Sequence, residues 1–118
     1  MEKNINSHKD LQIWIRSIAL VSEIYKVTKK FPDDEKYGLS IQIRRAAVSI
    51  PSNIAEGSAR KSNKELANFL NISMGSLSEL DTQLIISKNL NYLSDIDNYL
   101  DEIKSLMLMI HAIIKKIT

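Results

Sequence analysis

Residues that break regular structure are scarce in this chain, with three glycines and two prolines among 118 residues. An all-β domain of this length draws on such residues at every corner, so it would run out of turns before it closed. A few long helices with short connections need almost none, and a helical fold is what the scarcity points to. Cysteine is absent altogether. That removes disulfide staples, thiolate metal ligands and cysteine nucleophiles together, and leaves packing as the source of stability. A chain of this size builds one core, so a single domain is expected over residues 10–118, preceded by a polar, poorly ordered leader over 1–9. No apolar run reaches the roughly eighteen residues of a membrane span, and the leader has no signal-peptide core, so the expected location is cytoplasmic.

Apolar residues recur with helical periodicity. Between residues 11 and 31, Leu11, Trp14, Ile18, Val21 and Tyr25 share one side of a helical projection. Ile13, Leu20, Ile24, Val27 and Phe31 extend that arc beyond half the circumference. A surface helix needs a stripe only about 100° wide to face one core, so this helix is expected to have neighbours on two sides. Phe31-Pro32-Asp33-Asp34-Glu35 reads as the end of helix one and the start of helix two, with proline at a first helical position and carboxylates in a first turn. Gly57 is expected to stop helix two. Ser62 and Glu65 then form a capping box for helix three, and Ser94 with Asp97 gives a similar start for helix four. In that last helix Ile96, Tyr99, Ile103, Leu106, Ile110, Ile113 and Ile117 alternate spacings of three and four, the pattern of a bundle seam. Short joints make sequential helices antiparallel, so the expected fold is an all-α, antiparallel, up-and-down four-helix bundle. Pro51 lies inside helix two, where its missing amide predicts a kink.

Helix two also carries a polar line, Gln42, Arg45, Ser49, Asn53, Glu56 and Arg60, flanked by apolar positions on both sides. Helix three offers Ser76, Glu79 and Gln83 in return. Folding one helix back on the other brings these lines level. A hydrogen-bonded seam of Arg45, Ser49, Asn53, Glu56, Ser76, Glu79 and Gln83 is therefore expected, with an Arg45–Glu79 ion pair at its centre. The apolar surplus of the first two helices, at Ile13, Leu20, Val27, Tyr37, Ile41, Val48 and Ala55, is expected to form an interface between copies of the chain.

Chemistry is hard to find. His8 and His111 are the only histidines; no spacing suits zinc or a bundle di-iron centre, and Ser49 has no histidine near it to activate its hydroxyl. Glycine-rich phosphate loops are absent too. Neither a metal, a cofactor nor a small-molecule substrate is expected, and Glu56 with Glu79 reads better as arginine partners than as a catalytic pair. Binding remains. Sixteen basic against fourteen acidic residues leave a net charge of only +2, yet Lys26, Lys29, Lys30, Arg44, Arg60, Lys61 and Lys64 are grouped. Such groups suit contacts with RNA or DNA phosphates; no aromatic residues interleave with them to read bases. A partner protein is the alternative.

Longer motifs carry a resemblance. The run from Phe31-Pro32 through Tyr37-Gly38-Leu39 and Gln42-Ile43-Arg44-Arg45-Ala46-Ala47-Val48-Ser49-Ile50-Pro51 to Asn53-Ile54-Ala55-Glu56-Gly57 resembles the bacterial four-helix bundle proteins encoded in intervening sequences of 23S ribosomal RNA genes. Asp10-Leu11, Ile13-Trp14, Phe69-Leu70, Gly75-Ser76-Leu77, Glu79-Leu80 and Thr82-Gln83 agree with it. The likeness covers residues 9–93, and helix four follows in pattern. It implies an up-and-down bundle assembled as a ring-shaped homopentamer. Related accessory proteins of diversity-generating retroelements bind nucleic acid and a reverse transcriptase, and are more basic than this chain.

Overall fold

The computed structural model describes residues 11–118, so the leader over 1–9 lies outside the described residues. Four helices follow one another: α1 Gln12–Thr28, α2 Leu39–Ser58, α3 Asn63–Asn89 and α4 Asp97–Ile117. Each packs on its neighbour in sequence, and α4 returns to close on α1, giving the expected antiparallel bundle, 49 × 23 × 19 Å. The core is a column of Ile24, Ile43, Ile50, Ile54, Leu66, Leu70, Leu77, Leu80, Leu84, Leu106 and Ile110, all fully buried. Burial of this apolar area is the main force holding the helices together.

The joints differ in detail from the sequence reading. Pro32 does not begin α2. Residues Asp33–Glu35 form a separate 3₁₀ turn, and α2 starts only at Leu39, whose backbone N–H donates to Glu35 Oε1 at 3.0 Å. One acidic side chain thus caps α2 from outside the helix. Gly57 does not stop α2 either. It lies buried in the last turn, where a Cβ would meet Phe69 Cβ at 2.9 Å and the Leu66 carbonyl oxygen at 3.2 Å. Here glycine permits close approach of α3. Beyond α3, Asn91 takes a positive φ of 65° and the Tyr92 N–H donates to the Ser87 carbonyl at 2.9 Å, the usual left-handed exit from a helix. Asp95, not Ser94, then supports the start of α4, by accepting from the Asp97 N–H at 3.1 Å. The Ser62 cap on α3 is as expected: its hydroxyl accepts from the Glu65 N–H at 3.3 Å.

The α2–α3 pair is the most intimate of the four, because small residues line it. Ser73, fully buried on α3, donates to the Ile50 carbonyl at 2.9 Å, one residue before the internal Pro51. A buried hydroxyl satisfied in this way fixes the register of the two helices as well as their separation.

Candidate functional site

The polar seam between α2 and α3 exists, in a shorter form than expected. Ser76 donates to Ser49 Oγ at 2.8 Å, and Asn53 Nδ2 donates to the same oxygen at 2.9 Å and to the Ser49 carbonyl at 2.8 Å. Gln83, two turns further along α3, is buried with its Oε1 unsatisfied among the described residues. Glu56 turns outward and pairs with Arg60 at 3.0 Å. The expected Arg45–Glu79 ion pair is not formed. Although the Ser49–Ser76 contact sets these positions nearly level, both side chains are exposed, where water solvates them at less cost than a strained approach across the seam.

The second apolar strip of α2 stays at the surface. Tyr37 and Val48 are exposed, and Ile41 and Ala55 are partly so. Ile41, Val48 and Ala55 are seven residues apart along one face, and α1 runs beside them with Trp14, Ile18 and Val21. Two adjoining hollows result. One of about 320 Å³ is lined by Trp14, Ile18, Val21, Val48, Pro51 and Ala55; the other, of about 450 Å³, by Tyr25, Ile41, Arg44, Arg45, Val48 and Ser49. Val48 belongs to both, so they form one groove. Two residues expected on this surface are elsewhere: Ile13 and Leu20 lie in the subunit's own core, because the wide arc of α1 wraps inward to meet both α2 and α4. Val27 is half-buried.

A second groove, of about 410 Å³, separates α1 from α4. Across it Arg16 Nε donates to Glu102 Oε2 at 3.0 Å, Arg16 Nη2 donates to the other carboxylate oxygen and to Ser105 Oγ at 2.9 Å, and Nη1 meets Met109 Sδ at 3.1 Å. The hydrogen bond that Arg16 donates to Glu102 raises the Arg16 pKa above its ordinary value. Burial first, and then Glu23 and Asp95, raise the Tyr99 hydroxyl. Sequence reasoning missed this cluster. Its one signal was a lone arginine three residues after Ile13 and four before Leu20, on the edge of a core face.

A chain with this fold and this α2–α3 seam can be compared with a family model. The model described as 23S rRNA-intervening sequence protein matches residues 9–112. The chain belongs to this family. Among solved structures, one of a protein with unknown function from the S23 ribosomal protein family of Bacteroides thetaiotaomicron VPI-5482 superposes with a TM-score of 0.81. It is 22% identical, over 87% of this chain and 98% of that one, a likeness of fold. No curated protein matches.

In this intervening-sequence family member the basic residues divide between the two ends of the bundle. Lys26, Lys29, Lys30 and Arg44 sit where α1 ends and α2 begins; Arg60, Lys61 and Lys64 sit at the opposite α2–α3 joint. Both arginines are already engaged. The Arg44 guanidinium lies over the Tyr25 ring at 4.6 Å and donates to Thr28 Oγ1 at 2.8 Å, and that of Arg60 lies over Phe69 at 4.9 Å while pairing with Glu56. Lys26 faces Glu23 at 3.5 Å with both side chains exposed, a contact of little energetic weight. Lys29, Lys30, Lys61 and Lys64 are exposed and free of ion pairs within the described residues. No group of three metal-ligating side chains converges among the described residues, and none of their helices is long and apolar enough to cross a membrane.

Proposed function

We propose that this chain is a non-catalytic binding protein that works as an assembly of its own copies, joined through the α1–α2 groove. The observation that carries this is the strip Ile41, Val48 and Ala55 beside Trp14, Ile18 and Val21, left uncovered by the subunit's own helices. Seven-residue spacing along an apolar groove is what a further helix packs against. Exposed Ile15 and Ile18 continue the surface around α1, so it is broad enough to receive another subunit. The family resemblance supports a ring of five. Sedimentation velocity over a concentration series tests the reading: the wild-type chain sediments as an oligomer, and Val48→Glu or Ile18→Glu releases monomers of unchanged helical content. A wild-type chain that stays monomeric throughout removes the proposal.

A second reading, nucleic-acid binding, is favoured by the end of the bundle that holds both the α2–α3 joint, with Arg60, Lys61 and Lys64, and the last turn of α4, with Lys115 and Lys116. Lys64 shares a surface hollow there with Ile114, Ile117 and Thr118. An assembly repeats that basic end once per copy, which compensates for a low net charge per chain. Binding of a structured RNA should weaken steeply as salt rises, because phosphate contacts release counterions. Absence of binding at low salt eliminates this reading and leaves a purely protein-binding assembly.

A further inference from the structure

If copies join through the α1–α2 groove, some other face of the neighbouring copy must fill it. One of the groove's two hollows carries charge. Arg44 is held by Tyr25 and Thr28, whereas Arg45, which lines the same hollow, has no hydrogen bond or ion pair among the described residues and is exposed. The groove therefore offers one uncommitted cation between apolar flanks, Ile41 on one side and Val48 with Ala55 on the other.

A surface of the opposite kind lies on α3. Positions 72, 75, 79, 82 and 86 are spaced by three and four and all face outward. Ile72 is 49% exposed and Ile86 41%. Glu79 stands midway, seven residues from each, exposed and without a partner among the described residues. At Gly75 an added Cβ would touch nothing within 4 Å, so the ridge is open to close approach. Its three marker positions span about 21 Å at 1.5 Å per residue, the same span as Ile41, Val48 and Ala55. One surface is a single convex helix with an acid at its middle. The other is a concave groove between two helices with a base about one turn from its middle.

We propose that the α3 ridge of Ile72, Glu79 and Ile86 seats in the α1–α2 groove of a neighbouring copy, where Glu79 meets Arg45. The proposal rests on the self-association reading and adds the contacting face. The seven-residue repeats match in length, the charges are opposite at one pair, and Arg45 and Glu79 both gain a partner that neither has among the described residues. Because groove and ridge are different surfaces, the contact is head-to-tail: each copy gives its ridge to one neighbour and its groove to the other. A contact pairing groove with groove would leave the ridge idle.

Charge reversal with sedimentation velocity tests this. Arg45→Glu and Glu79→Arg should each weaken assembly about tenfold or more in dissociation constant, with helical content by circular dichroism unchanged. Combining both in one chain should restore assembly, and mixing the two single variants should yield mixed oligomers. Ile72→Asp, far from the groove, should also dissociate the oligomer. A wild-type oligomer that survives both Glu79→Arg and Ile72→Asp, or a double variant no better than the singles, overturns the ridge-in-groove contact while leaving self-association standing. A monomeric wild-type chain overturns both.

Discussion

Arg16 of α1 grips both carboxylate oxygens of Glu102 on α4, and does so across the most loosely packed pair of neighbouring helices in the bundle. Both side chains are about one third exposed, so solvent screens much of the attraction, but the two-pronged geometry and the added bond to Ser105 raise it above an ordinary surface pair. Arg16→Ala should lower stability by about 1 kcal/mol, measured by urea denaturation. The loss should shrink in high salt. A double-mutant cycle with Glu102→Gln should find most of that energy in the coupling; independent effects would mean that the pair contributes through packing of the arginine stem alone.

Glu35 joins two loops, accepting from the Leu39 N–H and from the Tyr92 hydroxyl at 2.9 Å, while Tyr92 packs its ring on Phe31 at 5.2 Å. The Leu39 amide first and Tyr92 second hold the Glu35 carboxyl below its ordinary 4.5. A depressed carboxyl pKa stabilises the fold above the unfolded value and loses that contribution as pH falls through the folded one. The melting temperature of the wild-type chain should therefore drop as pH falls below 4.5. Glu35→Gln should flatten that limb, and Tyr92→Phe should flatten it in part. On the alkaline side the Glu35 bond raises the Tyr92 pKa, so its contribution is complete below the ordinary phenol value and lost as pH rises through the raised one.

Gly57 and Gly75 make a matched pair of tests. A methyl at Gly57 meets Phe69 and the Leu66 carbonyl of α3, so Gly57→Ala should cost about 1–3 kcal/mol through forced separation of the helices. At Gly75 the space is open, so Gly75→Ala should stabilise the subunit by about 0.5–1 kcal/mol from helix propensity. Thermal melts at a concentration where both variants share one oligomeric state check the two signs. Equal effects would mean that the α2–α3 contact is looser than the geometry indicates.

Ser62 caps α3 by accepting from the Glu65 N–H. Ser62→Ala should cost about 1 kcal/mol, while Ser62→Asp should keep most of the stability because its carboxylate accepts the same amide and favours the helix N-terminus. Chemical denaturation of the three chains gives the order, and an alanine variant as stable as wild type would mean that water satisfies that amide equally well.

Local pattern was enough for the helices themselves. The scarcity of glycine and proline, the alternation of three and four from Ile96 to Ile117, and the Ser62–Glu65 pair are all properties of adjacent residues, and each helix followed from them. The joints were less legible. Whether Glu35 caps α2 from outside, and whether Gly57 ends a helix or lets another approach, depends on residues that arrive only when the chain folds. The same limit governed the seam. Folding α3 back set Arg45 opposite Ser76, about one turn from the observed Ser49–Ser76 contact, and sequence could not tell whether Arg45 and Glu79 would turn toward each other or toward water. Periodicity fixes which way a side chain leaves its helix to within a fraction of a turn. The choice between core, groove and solvent is made by the neighbours, which is why Ile13 and Leu20 went inward while Val48, from an equally apolar strip, stayed out.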